Sequence, residues 1–148
     1  MATVPILRLV RERTARYGAK CQTPRAVVRA VLGRMAEEQL TESMWAIALD
    51  GQSRCLAIVE VARGGCSSCA VSARDILRPM LCAGAHAFVL AHNHPSGDPF
   101  PSDQDRTMTT AVRRAADIVG CPLVDHVILV SEDCLFSMAD TWETALAS

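Results

Sequence analysis

Residues 85–105 read AHAFVLAHNHPSGDPFPSDQD, and the fold and the chemistry both turn on this stretch. Residues 85–91 form a short, almost uniformly apolar run, as expected of a strand covered on both faces. The run ends in His92-Asn93-His94, and eleven residues rich in Pro, Gly, Ser and Asp carry the chain on to Asp105. Side chains at i and i+2 of a strand point to one face. The two imidazoles can therefore converge on one ion, as two ligands of a tetrahedral zinc must. Asp105, in the first turn of a following helix, can add a carboxylate. Two histidines and one carboxylate, with a fourth position left for water, make a catalytic rather than a structural zinc arrangement. A blander reading makes the histidines loop residues and Ser102-x-x-Asp105 a helix capping box. The capping box explains that tetrapeptide by itself, and His-x-His with an acid at this distance favours metal.

Working outward, a helix runs from near Ser102 to Val119, with Met108, Ala111, Val112, Ala115, Ala116 and Val119 inward, and Gly120 closes it. LVDHVILV, residues 123–130, is a second buried strand. Upstream, Ser72-Ala73-Arg74-Asp75 has capping-box form and opens a helix through about Cys82, which Pro79 should kink. MWAIALD and SRCLAIVEVA are apolar runs joined at Asp50-Gly51, a hairpin signal. Thr23-Pro24 starts a further helix, a threonine cap followed by proline where its missing N–H costs nothing. Its core stripe is Val27, Val28, Val31, Leu32 and Met35, reaching about Leu40. Three helices interleaved with about four strands make an α/β or α+β sandwich around one sheet.

The chain has 148 residues, near the roughly 150 of one domain. No repeat, low-complexity tract or linker divides it, so residues 1–22 read as a basic lead-in and 23–148 as a single domain. Half the residues are hydrophobic and 21% are charged, which excludes a disordered or fibrous chain. No apolar stretch approaches the ~20 residues of a membrane span, and Arg8 interrupts the amino terminus before a signal-peptide core could form. The expectation is a soluble, cytoplasmic protein. Seven cysteines, an odd number, fit reduced thiols packed as small hydrophobes. Cys66 and Cys69 have CxxC spacing, but no second half-site accompanies them, and two cysteines in a loop is the preferred reading.

The net charge of −1 conceals an asymmetry: residues 1–34 hold eight bases and one acid, the remainder seven bases and fifteen acids. Such an arm can contact nucleic acid. Equally, it can lie on the acidic body of its own chain or of a second copy, which is compatible with a homodimer. Six aromatics are too few for a base-stacking platform.

A hydrolytic zinc site also wants a base. Glu60, inside IVEVA, is either a rim residue of an edge strand or a buried group placed for a task, and spacing does not decide. A buried carboxyl is pushed toward neutrality, which suits it to take a proton from zinc-bound water and hand it to a leaving amine.

His92-Asn93-His94-Pro95-Ser96-Gly97-Asp98-Pro99, then Pro101-Ser102, then Asp105, resembles the JAMM motif of the JAB/MPN metalloprotease superfamily in its bacterial RadC-like form. VSARDILRPMLCAGA resembles the family helix before the histidine strand, LVDHVILV the strand after the third helix, and residues 42–61 the opening hairpin. The resemblance covers roughly residues 24–137. It implies a mixed sheet sandwiched by helices, the fold shared with cytidine deaminases. It assigns His92, His94 and Asp105 to one zinc ion per chain, Glu60 to the general base, and Ser102 to a hydrogen bond with the oxyanion. The reaction implied is hydrolysis of a peptide or isopeptide amide in a peptide or protein substrate. Two departures stand out. Gly64 is followed by Gly65 where the family usually has Gly-Thr, and the chain is too short for the helix-hairpin-helix DNA module of longer RadC-like proteins.

Among other residues, His126 beside Asp125 reads as a hydrogen-bonded core histidine, although the pair also belongs to the family pattern, and His86 reads as surface. Ser96 is a turn residue rather than a nucleophile. Asp98 and Asp103 are loop and helix-dipole acids, and Asp98 is placed to orient a ligand histidine. An HNH nuclease disperses its three named residues, and a zinc deaminase needs His-x-Glu and Pro-Cys-x-x-Cys, which are missing. The surviving alternative to a hydrolase is a non-catalytic interaction module that uses the basic arm on nucleic acid or a partner.

Overall fold

In the computed structural model, the described residues are 40–64 and 71–142, with 23, 25, 26, 28, 29 and 32 before them. The sequence expectations for residues 1–22, for Val27, Val31 and Met35 of the first helix stripe, and for the Cys66/Cys69 loop lie outside this set. Five strands form one sheet: β1 Ser43–Leu49, β2 Cys55–Arg63, β3 Ala87–Asn93, β4 Leu123–Leu129 and β5 Leu135–Ser137, in the order β2-β1-β3-β4-β5. Helix α1 spans Ala73–Cys82 and α2 spans Asp103–Val119. The sheet is mixed. β1 runs antiparallel to β2 and β3, β3 and β4 are parallel with α2 as the crossover between them, and β5 is antiparallel to β4. β5 is the strand that the sequence pattern did not separate, because three residues are too few to show a period.

The hairpin turns where expected. The Asp50 carboxylate accepts from the Gln52 and Arg54 N–H groups at 2.8 and 2.9 Å and pairs with the Arg54 guanidinium at 2.7 Å, which closes the loop. Every residue of β1 and β3 is buried, as a strand pair in the middle of a covered sheet must be. Alternation then sorts the strands into two cores. Met44, Ala46, Ala48, Phe88 and Leu90 pack against Ile76, Leu77 and Met80 of α1 and Val112 and Ala116 of α2. Trp45, Ile47, Leu49, Val89, Ala91, Val127 and Leu129 face the other way, onto Val28 and Leu32. Arg25, Ala26, Val28, Arg29 and Leu32 are helical, so helix covers both faces of the sheet. Arg25 of the basic arm is ion-paired with Asp140 of the chain's own body.

Both full helices begin on capping boxes, Ser72 with Asp75 and Ser102 with Asp105. α1 continues through Pro79, which falls in its last turn and leaves a single carbonyl unpaired by its ring nitrogen. α2 ends on Gly120 in the left-handed region at φ 72°, where glycine carries no Cβ penalty. The inward stripe of α2 differs from the sequence expectation. It is Asp105, Thr109, Val112 and Ala116, whereas Ala111 and Val119 are exposed. Polar residues hold the first half of the buried face because they meet histidines of the sheet there.

Candidate metal centre

The carboxyl end of β3 supplies the first ligand candidates. His92 lies opposite Met44 of β1, on the face covered by α1 and α2. His94 follows two residues on, and the chain then turns, with the Gly97 N–H donating to the His94 carbonyl at 3.1 Å and Gly97 at φ 84°. Ser96 is an exposed residue of this turn, with no part in the cluster. The i, i+2 spacing works as the strand geometry requires, with the two Nε2 atoms 2.8 Å apart. Asp105 enters from the first turn of α2, its Oδ1 3.4 Å from His92 Nε2 and its Oδ2 3.7 Å from His94 Nε2.

The capping box and the cluster use the same carboxylate. Asp105 Oδ2 accepts from the Ser102 hydroxyl at 2.6 Å and the Ser102 N–H at 2.8 Å, while the Asp105 N–H donates back to Ser102 Oγ at 3.1 Å. One carboxylate can therefore serve the capping box and stand in the cluster at once. Ser102 reaches the cluster through Asp105.

The acid that completes the group is Glu42. One ligand atom each from Glu42, His92, His94 and Asp105 lie within 4.8 Å of one another, a set that could hold a metal ion. Register explains its presence: with Met44 opposite His92 in an antiparallel pair, Glu42 comes opposite His94, and it shares Met44's side of the sheet. Asn93, between the histidines, faces the other way and holds the same segment. Its Oδ1 accepts from the Ser43 N–H at 2.7 Å and its Nδ2 donates to the Thr41 carbonyl at 3.1 Å, so one amide grips the backbone on both sides of Glu42.

Glu60, expected as the base, is not in this group. It pairs with Trp45 in the β1–β2 register, and its neighbours Val59 and Val61 are the ones that pack toward the helices. Glu60 therefore projects from the opposite face of the sheet. There it is exposed on an edge strand and bonded to Arg63 through both carboxylate oxygens, at 2.8 and 2.9 Å. Strand parity thus puts Glu60 on the face away from the cluster, contrary to the expected placement, and Glu42 is the acid the fold brings to the histidines. The signal was present in the sequence, since Glu42 shares the parity of Met44. It depended on knowing which β1 residue meets His92.

The electrostatics suit a cation. Burial alone would raise the Asp105 carboxyl, but the His92 and His94 imidazoles set against it outweigh that and hold the group far below the usual carboxylate range. Asp105 thus carries a fixed negative charge. The same contact, with help from the Asp98 carbonyl, raises His94 against the effect of its burial. That carbonyl lies 2.7 Å from His94 Nδ1. A carbonyl only accepts, so Nδ1 carries the proton and Nε2 faces the cluster bare. Asp98 does orient a histidine, as expected, but through its backbone, its carboxylate being occupied by the Phe100 N–H at 3.0 Å. Two imidazole nitrogens and carboxylate oxygens are the donor set of zinc and similar divalent ions.

His126 is fully buried behind His92, with its Nε2 2.7 Å from His92 Nδ1. Asp125 points to the other face, where it accepts from Ser137 Oγ at 2.7 Å and the Ala139 N–H at 3.0 Å. His86 is exposed, as expected. The cluster opens into a cavity of about 1030 Å³, whose apolar walls include Val71, Phe100, Met108 and Ala111. Phe100 is 62% exposed and is held edge-to-face against Phe136 at 5.5 Å.

Fold and site together define a mixed-sheet domain with a His-x-His and carboxylate centre at the end of its central strand. The RadC-like JAB domain family model matches residues 21–143, and the chain belongs to that family. Similar proteins include a UPF0758 protein of Desulforudis audaxviator, 40% identical over 60% of this chain and 38% of its own length. A UPF0758 protein of Porphyromonas gingivalis is 37% identical over 67% and 44%. A third, of Syntrophotalea carbinolica, is 33% identical over 84% and 54%. The chain thus spans about half the length of these curated relatives or less. Among the described residues no helix is long and apolar enough to cross a membrane.

Proposed function

We propose that the domain is a zinc-dependent amide hydrolase acting on a peptide or isopeptide bond. The observation that carries this reading is the convergence of Glu42, His92, His94 and Asp105 beside a cavity that Glu42, His94 and Asp105 help to line. His92, His94 and Asp105 would hold the ion, and zinc bound there would polarise both the attacking water and the scissile carbonyl. Glu42, beside the ligands and partly exposed to the cavity, takes a proton on its carboxylate from the attacking water and returns it to the leaving nitrogen. The Ser102 hydroxyl, whose proton rests on Asp105, turns to the substrate oxygen as negative charge develops. Val71, Phe100, Met108 and Ala111 offer an apolar wall along which a peptide can lie. A reducing, cytoplasmic setting agrees with Cys82, Cys121 and Cys134, which are free thiols among the described residues.

The test is metal content and turnover measured on the same preparations, with a library of quenched fluorescent peptides and isopeptides as substrates. The expectation is about one zinc per wild-type chain. Glu42→Gln should retain the metal and lose about 10²–10⁴-fold in turnover, whereas Glu60→Gln should match wild type in both. Glu42→Gln turning over at the wild-type rate would remove Glu42 as the base. A wild-type chain that takes up no zinc at neutral pH would leave the alternative, an interaction module, for which binding to a partner or nucleic acid should weaken with salt.

A further inference from the structure

Behind His92 lie two buried groups that neither hold an ion nor face the cavity. Thr109, on α2, has its Oγ1 2.6 Å from the Asp105 backbone carbonyl and 2.6 Å from His126 Nδ1. A hydroxyl has one proton and a carbonyl only accepts, so the proton goes to Asp105 and Oγ1 must accept from His126. His126 therefore carries its proton on Nδ1. At 0% exposure this imidazole keeps a single N–H, the one it gives to Thr109. Its Nε2 is then bare and accepts from His92 Nδ1 at 2.7 Å. That leaves His92 with a bare Nε2, aimed at His94 Nε2 and Asp105.

We propose that Thr109 and His126 are positioning residues, which hold His92 in the tautomer that binds a divalent cation and so set the affinity of the site. The chain of hydrogen bonds starts at one ligand candidate, His92, and ends on the backbone of another, Asp105, linking β3, β4 and α2 in a closed circuit. Without the Thr109 hydroxyl, the His126 Nδ1–H loses its acceptor in a fully buried place. The imidazole then gains by moving its proton to Nε2. It would now donate to His92 Nδ1, and the His92 proton would move to Nε2, where an ion has to displace it. Partners of this kind typically change metal affinity by 10–100-fold. The usual partner of a ligand histidine is a carboxylate, a carbonyl or water, and here a neutral imidazole fills that place.

The inference rests on the metal reading above, and the experiment separates the two. Zinc affinity is measured by competition with a chromophoric chelator for the full chain as wild type, Thr109→Val and Thr109→Ser. Imidazole tautomers are read from nitrogen-15 chemical shifts of the zinc-free chain. The near-isosteric Thr109→Val should weaken zinc about 10–100-fold, and Thr109→Ser should restore the wild-type value. His92 and His126 of the wild type should both be protonated on Nδ1. Equal zinc affinity in wild type and Thr109→Val overturns the proposal. So does a wild-type His126 protonated on Nε2, a result that stands even if Thr109→Val fails to fold. A wild-type chain that binds no zinc overturns the metal reading itself.

Discussion

Asn93 shows how much one buried side chain can arrange. It is 1% exposed and sits between two histidines that face the other way, so it touches no part of the cluster. Its amide nevertheless satisfies the Ser43 N–H and the Thr41 carbonyl, the groups flanking Glu42. Replacing it with alanine leaves both without that partner, at a cost of about 1–3 kcal/mol for each group that stays buried. The expected outcome of Asn93→Ala is a lower melting temperature and a turnover reduced at least tenfold, with zinc content unchanged. Turnover per folded, zinc-loaded chain equal to wild type would show that Glu42 is held without the amide. The sequence displayed Asn93 plainly, as the middle of His-Asn-His, but its role depends on a partner some fifty residues earlier in the chain.

At the scale of elements, α1 and α2 start with the same device and can be compared directly. Ser72 Oγ donates to Asp75 Oδ2 at 2.6 Å, and Ser102 Oγ donates to Asp105 Oδ2 at the same distance. Each serine also accepts the N3 backbone N–H, at 3.3 and 3.1 Å. Ser72→Ala and Ser102→Ala should therefore cost similar stability, about 1 kcal/mol each by denaturant titration. Their catalytic consequences should differ. Ser72 lines the same cavity, but Asp75 is not part of the cluster, so Ser72→Ala should keep zinc and turnover, while Ser102→Ala should lower turnover by about 10²–10³-fold. Equal turnover in the two variants would confine Ser102 to its capping role. The boxes were legible as four-residue patterns, whereas which of the two fronts a metal centre follows from the preceding strand, since only α2 begins just after His-x-His.

For the whole molecule, the sheet's two faces carry different titrating groups. Asp125, on the face away from the cluster, has its carboxyl raised above the ordinary value near 3.8 by burial, against the opposing bonds from Ser137 and the Ala139 N–H. The raised folded value means that the unfolded chain releases this proton first as pH increases. Asp125 therefore lowers stability as pH rises from about 3.8 through its folded pKa, and the loss is complete above that. Asp125→Asn can keep both hydrogen bonds, an amide oxygen for Ala139 and an amide NH₂ for Ser137 Oγ. It should stabilise the chain at pH 7 relative to wild type and have little effect below pH 3.8. Thermal melts of the two proteins across that range check this, and a variant less stable at pH 7 would mean that the ionised form is the one the fold prefers.

Sequence alone determined the parts governed by neighbours along the chain. The Asp50 turn, both capping boxes, the Gly120 cap, the apolar β3 run and the convergence of His92 with His94 follow from residues close together along the chain, where backbone geometry leaves little choice. Tertiary structure decided the rest. Glu60 and Glu42 lie on opposite faces of one sheet because parity counts from the residue that pairs with β3, and that register is set by packing across the whole sheet. Thr109 and His126 meet only where α2 crosses over the β3–β4 pair. The polar half of the α2 stripe is equally nonlocal: Asp105 and Thr109 are buried because histidines from two strands lie beneath them, which no period within the helix can state.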